Sequence, residues 1–328
     1  MTGDAIGALD DALAFLGDRL RREEPIGPLT TYGVGGPARR FLEVADADEL
    51  AAVAAAVAGL PVATRPAVLV IGRGSNLLVA DAGADALVLQ LSTAFAEVVI
   101  SPGRDGASRV RAGGAANLPV VARQTVAAGL RGFEWAVGVP GSIGGAVRMN
   151  AGGHGSDMAA SLVGVRVVDV VTGEDGEMSA TSLDLGYRTS ALRPEQVVVW
   201  ADLELDPGDV TVGERELSSI VRWRREHQPG GHNAGSVFAN PAGTSAGRLI
   251  DEAGARGLRL GTAEVSPKHA NFIQSDGGGS ADDVFALMVR VAAIVQAHSG
   301  VRLHPETRLI GFPDFDASVA AFGDEAAT

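Results

Sequence analysis

Apolar residues in this chain come in short runs that are separated by glycines and polar turns. The run 68–71 is entirely apolar and leads directly into a glycine loop, which predicts a buried strand. A shorter apolar strand is expected near Phe41. The Ala-rich stretch after it is opened by Asp46 or Asp48 and has the acidic start that is typical of a helix. The first part of the chain is therefore predicted to alternate strands with helices.

The pattern beyond residue 88 predicts two further blocks, which Pro207-Gly208 separates as a linker. Their predicted elements are a helix near 117–128, strands over 163–171 and 197–205, helices near 215–226 and 282–298, and a strand near 308–310. Residues 4–22 are predicted to form one amphipathic helix, and the acidic, Ala-rich tail after Phe312 is predicted to be frayed.

Composition narrows the classes of function. The chain of 328 residues has 44 glycines and no cysteine, which excludes disulfides, thiolate nucleophiles and thiolate metal sites. A net charge of −13 opposes nonspecific binding to nucleic acid. The start of the chain lacks the features of a signal peptide, and its uncharged stretches are too short or too polar to cross a bilayer. We therefore expect a cytoplasmic protein without a nucleic-acid partner or membrane insertion.

Three glycine-rich loops are candidates for binding a cofactor: the first spans 33–38, the second 72–76 and the third 138–145. Glycine lets a ligand approach the backbone, and consecutive amides can bind a pyrophosphate. The second loop lacks the spacing of a dinucleotide fingerprint or a P-loop, and a tight structural turn is its ordinary alternative. Since one extended cofactor explains all three loops, it is the more economical interpretation.

Three polar residues, which stand next to apolar residues or in predicted turns, are candidate catalytic residues. Arg188 follows Tyr187 and can clamp a carboxylate, although a surface arginine at a turn is equally ordinary. Ser236 lies in Gly-Ser-Val-Phe, which is not the elbow of a serine hydrolase, so it is either a proton donor or a turn cap. Glu306 is a candidate general acid or base, or a surface carboxylate. The six histidines show no metal-ligand spacing, so no metal is expected.

Read in order, the motifs resemble the UDP-N-acetylenolpyruvoylglucosamine reductase family over about residues 28–312. The collinear matches are Thr-Thr-Tyr-Gly-Val-Gly-Gly-Pro-Ala, Gly-Arg-Gly-Ser-Asn-Leu-Leu-Val, Val-Pro-Gly-Ser-Ile-Gly-Gly-Ala, Gly-Tyr-Arg-x-Ser, Gly-Ser-Val-Phe-x-Asn-Pro and Pro-Glu-x-Arg. The resemblance implies an enzyme that uses non-covalent FAD and NADPH to reduce a sugar nucleotide for peptidoglycan synthesis. No Tyr-bearing insertion lies between Arg188 and Ser236, which places the chain in the shorter class of the family. A monomer is expected.

The fold implied by the resemblance is α+β, with a two-subdomain FAD-binding unit of the vanillyl-alcohol-oxidase type and a C-terminal α/β domain for the substrate. The expected segments are a lead-in at 1–27, the FAD unit at 28–205 with subdomains 28–87 and 88–205, the substrate domain at 206–313, and the tail at 314–328.

Carried over motif by motif, the resemblance assigns roles to individual residues. The catalytic residues are Arg188, Ser236 and Glu306. The substrate-binding residues are Tyr187, Asn233, Asn240 and Lys268. The FAD-binding residues are Tyr32, Gly33, Val34, Gly35, Gly36, Gly72, Arg73, Gly74, Ser75, Asn76, Gly138, Val139, Pro140, Gly141, Ser142, Gly144 and Gly145. The chain departs from the family at Thr30, Arg73 and His304, where the family usually has Asn, Gly and Glu.

Two alternatives remain at this point. One is a flavin oxidase or dehydrogenase of the same fold that acts on an alcohol or a sugar. The absence of cysteine, and of histidine in the three loops, disfavours a covalent flavin and with it this alternative. The other is a noncatalytic protein that binds a nucleotide sugar.

Overall fold

The computed structural model describes residues 3–103 and 106–326, with the side chains of 324–326 outside the description. Eight α-helices lie in this part of the chain: α1 Gly3–Ala12, α2 Ala47–Ala58, α3 Leu118–Ala127, α4 Ile143–Arg148, α5 Val210–His227, α6 Ala246–Glu252, α7 Ala281–Ser299 and α8 Phe315–Ala326. The strands of the same residues are β1 Arg21–Pro25, β2 Pro37–Val44, β3 Val68–Ile71, β4 Leu77–Val79, β5 Ala84–Leu91, β6 Val98–Pro102, β7 Ser108–Gly113, β8 Leu130–Arg131, β9 Gly152–Gly153, β10 Ser156–Asp157, β11 Leu162–Asp169, β12 Asp175–Ser179, β13 Gln196–Pro207, β14 Arg259–Leu260, β15 Ala263–Val265, β16 Ile273–Ser275 and β17 Arg308–Ile310.

The chain divides into two compact units, and each draws on three segments. The first unit contains the residues up to Arg22, Arg40–Arg73 and Asp85–Arg224; the second contains Glu23–Arg39, Gly74–Ala84 and the residues from Arg225 onwards. Each unit therefore combines segments that are distant in the sequence, whereas each predicted block is one continuous stretch. In particular, one segment boundary falls within α5 at Arg224–Arg225, not at Pro207-Gly208.

Two larger sheets and the short antiparallel pair of β9 and β10 belong to the first unit. One has the strand order β1-β2-β5-β3, in which β3 runs parallel to β5. The other is antiparallel, with the order β12-β11-β13-β7-β6, and β8 pairs with the end of β13. Helices α1 and α2 bury Leu9 and Leu50 in the core of the first sheet, while α3 and α4 bury Val121 and Ile143 in the core that includes β7 and β13.

The second unit has a core around α7. Residues Leu287 and Val291 of this helix are completely buried together with Val265 of β15 and Phe238. Strands β14, β15 and β16 form an antiparallel sheet, and β17 pairs in parallel with β4. This last pairing brings the chain that follows the second glycine loop beside the chain that follows Glu306.

Several local predictions are confirmed. The buried strand β3 has the predicted bounds. Helix α2 begins after Asp46, whose Oδ1 accepts a 2.9 Å hydrogen bond from the Glu49 N–H. An aspartate at this position satisfies an N–H that the helix leaves unpaired.

Two predictions at the ends of the chain are wrong. Helix α1 ends at Ala12 and is followed by a separate 3-10 segment over Ala14–Arg19, in which Gly17 has non-helical backbone angles, and by the strand Arg21–Pro25. The tail is not frayed over its described residues: α8 buries Phe315 and Val319 in the core of the second unit. Burial of these apolar side chains therefore stabilises α8 despite the acidic composition of the segment.

None of the helices within the described ranges combines the length and the apolar character that crossing a membrane requires. The stretch between Arg188 and Ser236 is occupied mainly by β13 and α5.

Candidate active site

Ser236 and Glu306 are brought together within the second unit. The chain that follows Ser236 pairs with the chain around Glu306: the Glu306 N–H donates to the Val237 carbonyl over 2.8 Å, and the Ala239 N–H donates to the His304 carbonyl over 3.0 Å. Both Ser236 and Glu306 are half-buried. Two of the three predicted catalytic side chains therefore belong to neighbouring, directly hydrogen-bonded segments.

Asn271 holds the segment of Ser236 from its other side. Its side chain accepts from the Phe238 N–H at 3.0 Å and donates to the Phe238 carbonyl at 2.8 Å. Its main-chain carbonyl accepts from the Val237 N–H at 2.9 Å. The sequence around Asn271 suggests no role for it, because an asparagine in a polar run is typical of a turn; its complete pairing is visible only in three dimensions.

The second glycine loop is bonded to the chain at Glu306. The Asn76 side chain donates to the Glu306 carbonyl over 3.1 Å, and the Asn76 carbonyl accepts from the Arg308 N–H over 3.0 Å. A residue predicted to bind FAD thus touches the backbone of a residue predicted to be catalytic.

Contacts within each unit also join the second loop to the segment that precedes the first loop and to the third loop. In the second unit, the Thr31 N–H donates to the Gly74 carbonyl over 3.1 Å. Gly74 has a φ of +61°, and a Cβ there would lie 2.3 Å from the Leu29 carbonyl oxygen. In the first unit, a Cβ on Gly72 would lie 2.4 Å from the Ser142 Oγ. Ser142 is buried and caps α4, so this contact has little room to adjust.

The first loop packs tightly within the second unit. A Cβ on Gly36 would lie 2.2 Å from the Asp81 carbonyl oxygen, and one on Gly33 would lie 2.8 Å from the Nδ1 of His232. Tyr32 is completely buried, and this burial raises the pKa of its hydroxyl above the usual range. The hydroxyl therefore stays protonated.

Arg188 belongs to the first unit, where it lies at the tip of a tight hairpin. Gly186 and Thr189 exchange backbone hydrogen bonds of 3.1 and 3.2 Å across the tip. Arg188 has a φ of +57°, which is costly for a residue with a Cβ and is typical of strain stored at functional sites. Its Nη2 donates to the Gly152 carbonyl over 3.1 Å, and its guanidinium carbon lies 5.5 Å from the centre of the Tyr187 ring.

Positive charge lies beside the third glycine loop. A Cβ on Gly138 would lie 3.3 Å from the Cδ of Arg224 and 3.5 Å from the His154 ring. Burial lowers the pKa of Arg224, and burial together with the charge of Arg224 lowers the pKa of His154. A neutral imidazole next to an arginine can accept or donate a hydrogen bond at this loop.

The loops fit a polar, extended cofactor such as FAD. Two buried polar atoms next to them, the Thr31 Oγ1 and the Trp135 Nε1, have no hydrogen-bond partner among the residues that the structure describes. Buried polar atoms are rarely left unpaired, so a ligand is a reasonable partner for both. No group of three His, Asp or Glu residues in the described ranges is arranged to hold a metal ion.

The predicted substrate-binding residues are polar and accessible to different degrees. Tyr187 is 61% exposed. Asn233 shapes its own loop, since its Oδ1 accepts from the Gly235 N–H over 3.0 Å. The Oδ1 of Asn240 accepts from the Ala246 N–H at the start of α6 over 3.0 Å. The Nζ of Lys268 donates to the Arg225 carbonyl over 2.6 Å.

Known protein families match both parts of the chain. A FAD binding domain matches residues 38–181, and the C-terminal domain of UDP-N-acetylenolpyruvoylglucosamine reductase matches residues 227–310. These matches agree with the predicted α+β class and FAD-binding unit.

Full-length relatives extend the match. UDP-N-acetylenolpyruvoylglucosamine reductase 2 of Symbiobacterium thermophilum is 40% identical over 89% of this chain and 92% of its own length. The corresponding reductase of Heliobacterium modesticaldum is 43% identical over 88% of this chain and 90% of its own length.

The crystal structure of UDP-N-acetylenolpyruvylglucosamine reductase from Thermus caldophilus superposes with a TM-score of 0.74 at 34% identity, covering 89% of this chain and 99% of that one. The α+β fold class and the resemblance inferred from the motifs are confirmed, and the two alternative functions are not favoured. The chain belongs to the UDP-N-acetylenolpyruvoylglucosamine reductase family.

Proposed function

We propose that this protein catalyses the NADPH-dependent, FAD-mediated reduction of UDP-N-acetylenolpyruvoylglucosamine to UDP-N-acetylmuramate. The observation that carries the proposal is the pairing of the Glu306 N–H with the Val237 carbonyl, which brings a candidate proton donor and a carboxyl group together in a protein of this family.

The three glycine loops hold FAD non-covalently, with Tyr32 and Asn76 among the binding residues. When bound there, the flavin would supply the hydride transfer from NADPH to the C3 carbon of the enolpyruvyl group. The close backbone packing of Gly36, Gly72 and Gly74 supports this role, because it fixes the loops before the cofactor binds.

Ser236 donates the proton that C2 of the enolpyruvyl group needs after C3 has received the hydride. A serine hydroxyl is a weak acid, so it must be held within hydrogen-bond reach of a strongly basic carbon. The bonds of Val237 and Phe238 to Asn271 and Glu306 supply that rigidity to the residues next to Ser236.

Arg188 stabilises the negative charge that develops on the substrate carboxylate, and Glu306 contributes through a protonated or well-bridged carboxyl group, since a bare carboxylate would repel that charge. A guanidinium can form two parallel hydrogen bonds with a carboxylate, which gives geometric precision as well as charge. Preorganised donors of this kind lower the reaction barrier most when they lie where charge develops in the transition state. The strained, doubly bonded hairpin of Arg188 is consistent with such preorganisation.

Tyr187, Asn233, Asn240 and Lys268 bind the sugar nucleotide. An anionic diphosphate needs local positive charge in a protein whose net charge is −13, and Lys268 is the only lysine of the chain. In this proposal the FAD unit spans 28–205 and the substrate domain 206–313, and the protein works as a monomer in the cytoplasm, without nucleic-acid partners or membrane insertion.

Anaerobic half-reactions test the proposal. The purified protein is expected to carry oxidised flavin, to lose its visible absorbance on mixing with NADPH, and to recover it when UDP-N-acetylenolpyruvoylglucosamine is added. Mass spectrometry of the product should give UDP-N-acetylmuramate. A protein that holds flavin but whose reduced flavin is not reoxidised by this substrate would contradict the proposal.

A further inference from the structure

Asn150 has a buried side chain in which both polar atoms are hydrogen-bonded. It is 4% exposed and lies in the chain that follows the third glycine loop. Its Nδ2 donates to the Gly186 carbonyl over 2.9 Å and to the Asp157 Oδ2 over 3.2 Å, while its Oδ1 accepts from the Ala159 N–H over 3.0 Å. An amide has two N–H donors and one carbonyl oxygen, and each of them is engaged here.

One of these bonds reaches the hairpin of Arg188. Gly186 is the residue whose backbone pairs with Thr189 to close that hairpin. Two residues after Asn150, the Gly152 carbonyl accepts the 3.1 Å hydrogen bond of the Arg188 Nη2. The short segment 150–152 therefore holds the hairpin at its base through a side chain and the guanidinium through a carbonyl.

The geometry points to Asn150 as a positioning residue for Arg188, and we propose that its amide sets the place of the guanidinium that binds the substrate carboxylate. This inference rests on the proposed function, because it takes Arg188 as the carboxylate ligand. Loss of the bond to Gly186 frees the hairpin base, and displacement of a reacting or binding group by about 1 Å can cost about 100-fold in rate.

The backbone of Asn150 offers a simpler explanation, which the test must separate. Its φ of +38° lies in a region that asparagine tolerates better than most residues, so the residue could serve the turn alone. Glycine accepts this φ without cost but has no amide. The variant Asn150→Gly therefore keeps the turn and removes the hydrogen bonds, whereas Asn150→Asp keeps the acceptor for Ala159 and removes the donor to Gly186.

Asp184→Gly is the matched control. Asp184 lies two residues before Gly186, has a φ of +44° and is exposed, and its side chain makes no hydrogen bond within the described part of the chain. It therefore reports the effect of a glycine near the hairpin without the loss of an amide.

The experiment measures both half-reactions anaerobically, with melting temperatures and FAD content recorded for each holoenzyme. Asn150→Gly and Asn150→Asp are expected to slow the reoxidation of reduced flavin by UDP-N-acetylenolpyruvoylglucosamine by about 10- to 100-fold. Flavin reduction by NADPH should stay within about twofold of the wild-type rate, as should both half-reactions of Asp184→Gly. In an Arg188→Ala background, Asn150→Gly should change reoxidation by less than about twofold, because the group it positions is gone.

The inference is overturned if Asn150→Gly has rates like those of Asp184→Gly, or if it slows both half-reactions equally. It is also overturned if Asn150→Gly slows reoxidation by the same factor in the Arg188→Ala background as in the wild type. If neither Asn150 variant folds, the residue serves folding and the inference is equally overturned. The wild-type protein distinguishes failure of the Asn150 inference from failure of the proposed function. If the substrate does not reoxidise the reduced flavin of the wild-type protein, both the proposed function and the inference are wrong.

Discussion

The side-chain amide of Asn76 donates a hydrogen bond to the main-chain carbonyl of Glu306 over 3.1 Å. Because Asn76 also accepts the Arg308 N–H through its own carbonyl, the second glycine loop and the segment of Glu306 are held to each other on both sides. In the proposed function, Asn76 therefore links cofactor binding to the placement of the Glu306 carboxyl group.

Replacing Asn76 with aspartate should disturb both functions. A carboxylate cannot donate to the Glu306 carbonyl and repels it, so we expect a loss of stability of about 1–3 kcal/mol. We also expect weaker FAD retention after gel filtration and slower reoxidation by the substrate. Gln124→Glu is the control, since Gln124 is exposed on α3 and its side chain makes no hydrogen bond within the described part of the chain. Equal FAD content and equal rates in the two variants would rule out the link.

Gly74 should tolerate no side chain, for two reasons that can be separated. Its φ of +61° alone makes alanine cost about 1–2 kcal/mol, and the contact with the Leu29 carbonyl adds to that cost. Gly243 has a φ of +78°, and a Cβ on it would meet nothing within 4 Å, so Gly243→Ala measures the conformational cost alone.

We expect Gly74→Ala to lose more stability than Gly243→Ala in urea unfolding, and to lose FAD as well. If the two variants unfold alike and both retain flavin, the close approach of Gly74 to the segment that precedes the first loop does not matter for cofactor binding.

The ion pair of Asp10 and Arg40 predicts a dependence of stability on pH. The two bonds, of 2.5 and 2.6 Å, join α1 to β2, and Arg40 is buried. The hydrogen bond from Arg40 lowers the pKa of Asp10 below its usual value of 3.8. A carboxyl group with a lowered pKa in the folded state stabilises the protein above its unfolded pKa, and this contribution is lost as the pH falls through the folded value.

Asp10→Asn should therefore lower the free energy of unfolding by about 2–3 kcal/mol near neutral pH. The difference from the wild type should shrink as the pH falls below 3.8, when the wild-type carboxyl group becomes protonated. Chemical unfolding at several pH values checks this, with exposed Asp11→Asn as the control. A difference that persists unchanged in acid would show that the charge of Asp10 is not involved.

The sequence predicts elements where local signals suffice. Apolar runs bounded by glycine locate β3, and the cap at Asp46 locates α2. The end of α1 at Ala12 escapes prediction because the apolar spacing continues past it, with Leu13 and Leu16 buried in the same core as Leu9. Helix α8 escapes prediction because its acidic composition conceals the apolar pair Phe315 and Val319, which stand four residues apart and face one core.

The candidate site shows the same limit. Motifs can identify Ser236 and Glu306 separately, but their closeness comes from a backbone pairing across about seventy residues of chain, a non-local contact that no local pattern reveals. Asn150 and Asn271 lie in turns rich in glycine or polar residues, and only the pairing of their amides distinguishes them from ordinary turn residues.

Ser236→Ala tests the central claim most directly. In anaerobic stopped-flow experiments, flavin reduction by NADPH should remain close to the wild-type rate, because the hydroxyl takes no part in that step. Reoxidation by UDP-N-acetylenolpyruvoylglucosamine should fall by about 10²- to 10⁴-fold, the usual contribution of a positioned proton donor. The exposed Ser219→Ala should leave both rates unchanged. Reoxidation of the Ser236→Ala flavin by the substrate at the wild-type rate would contradict the assignment of Ser236 as the proton donor.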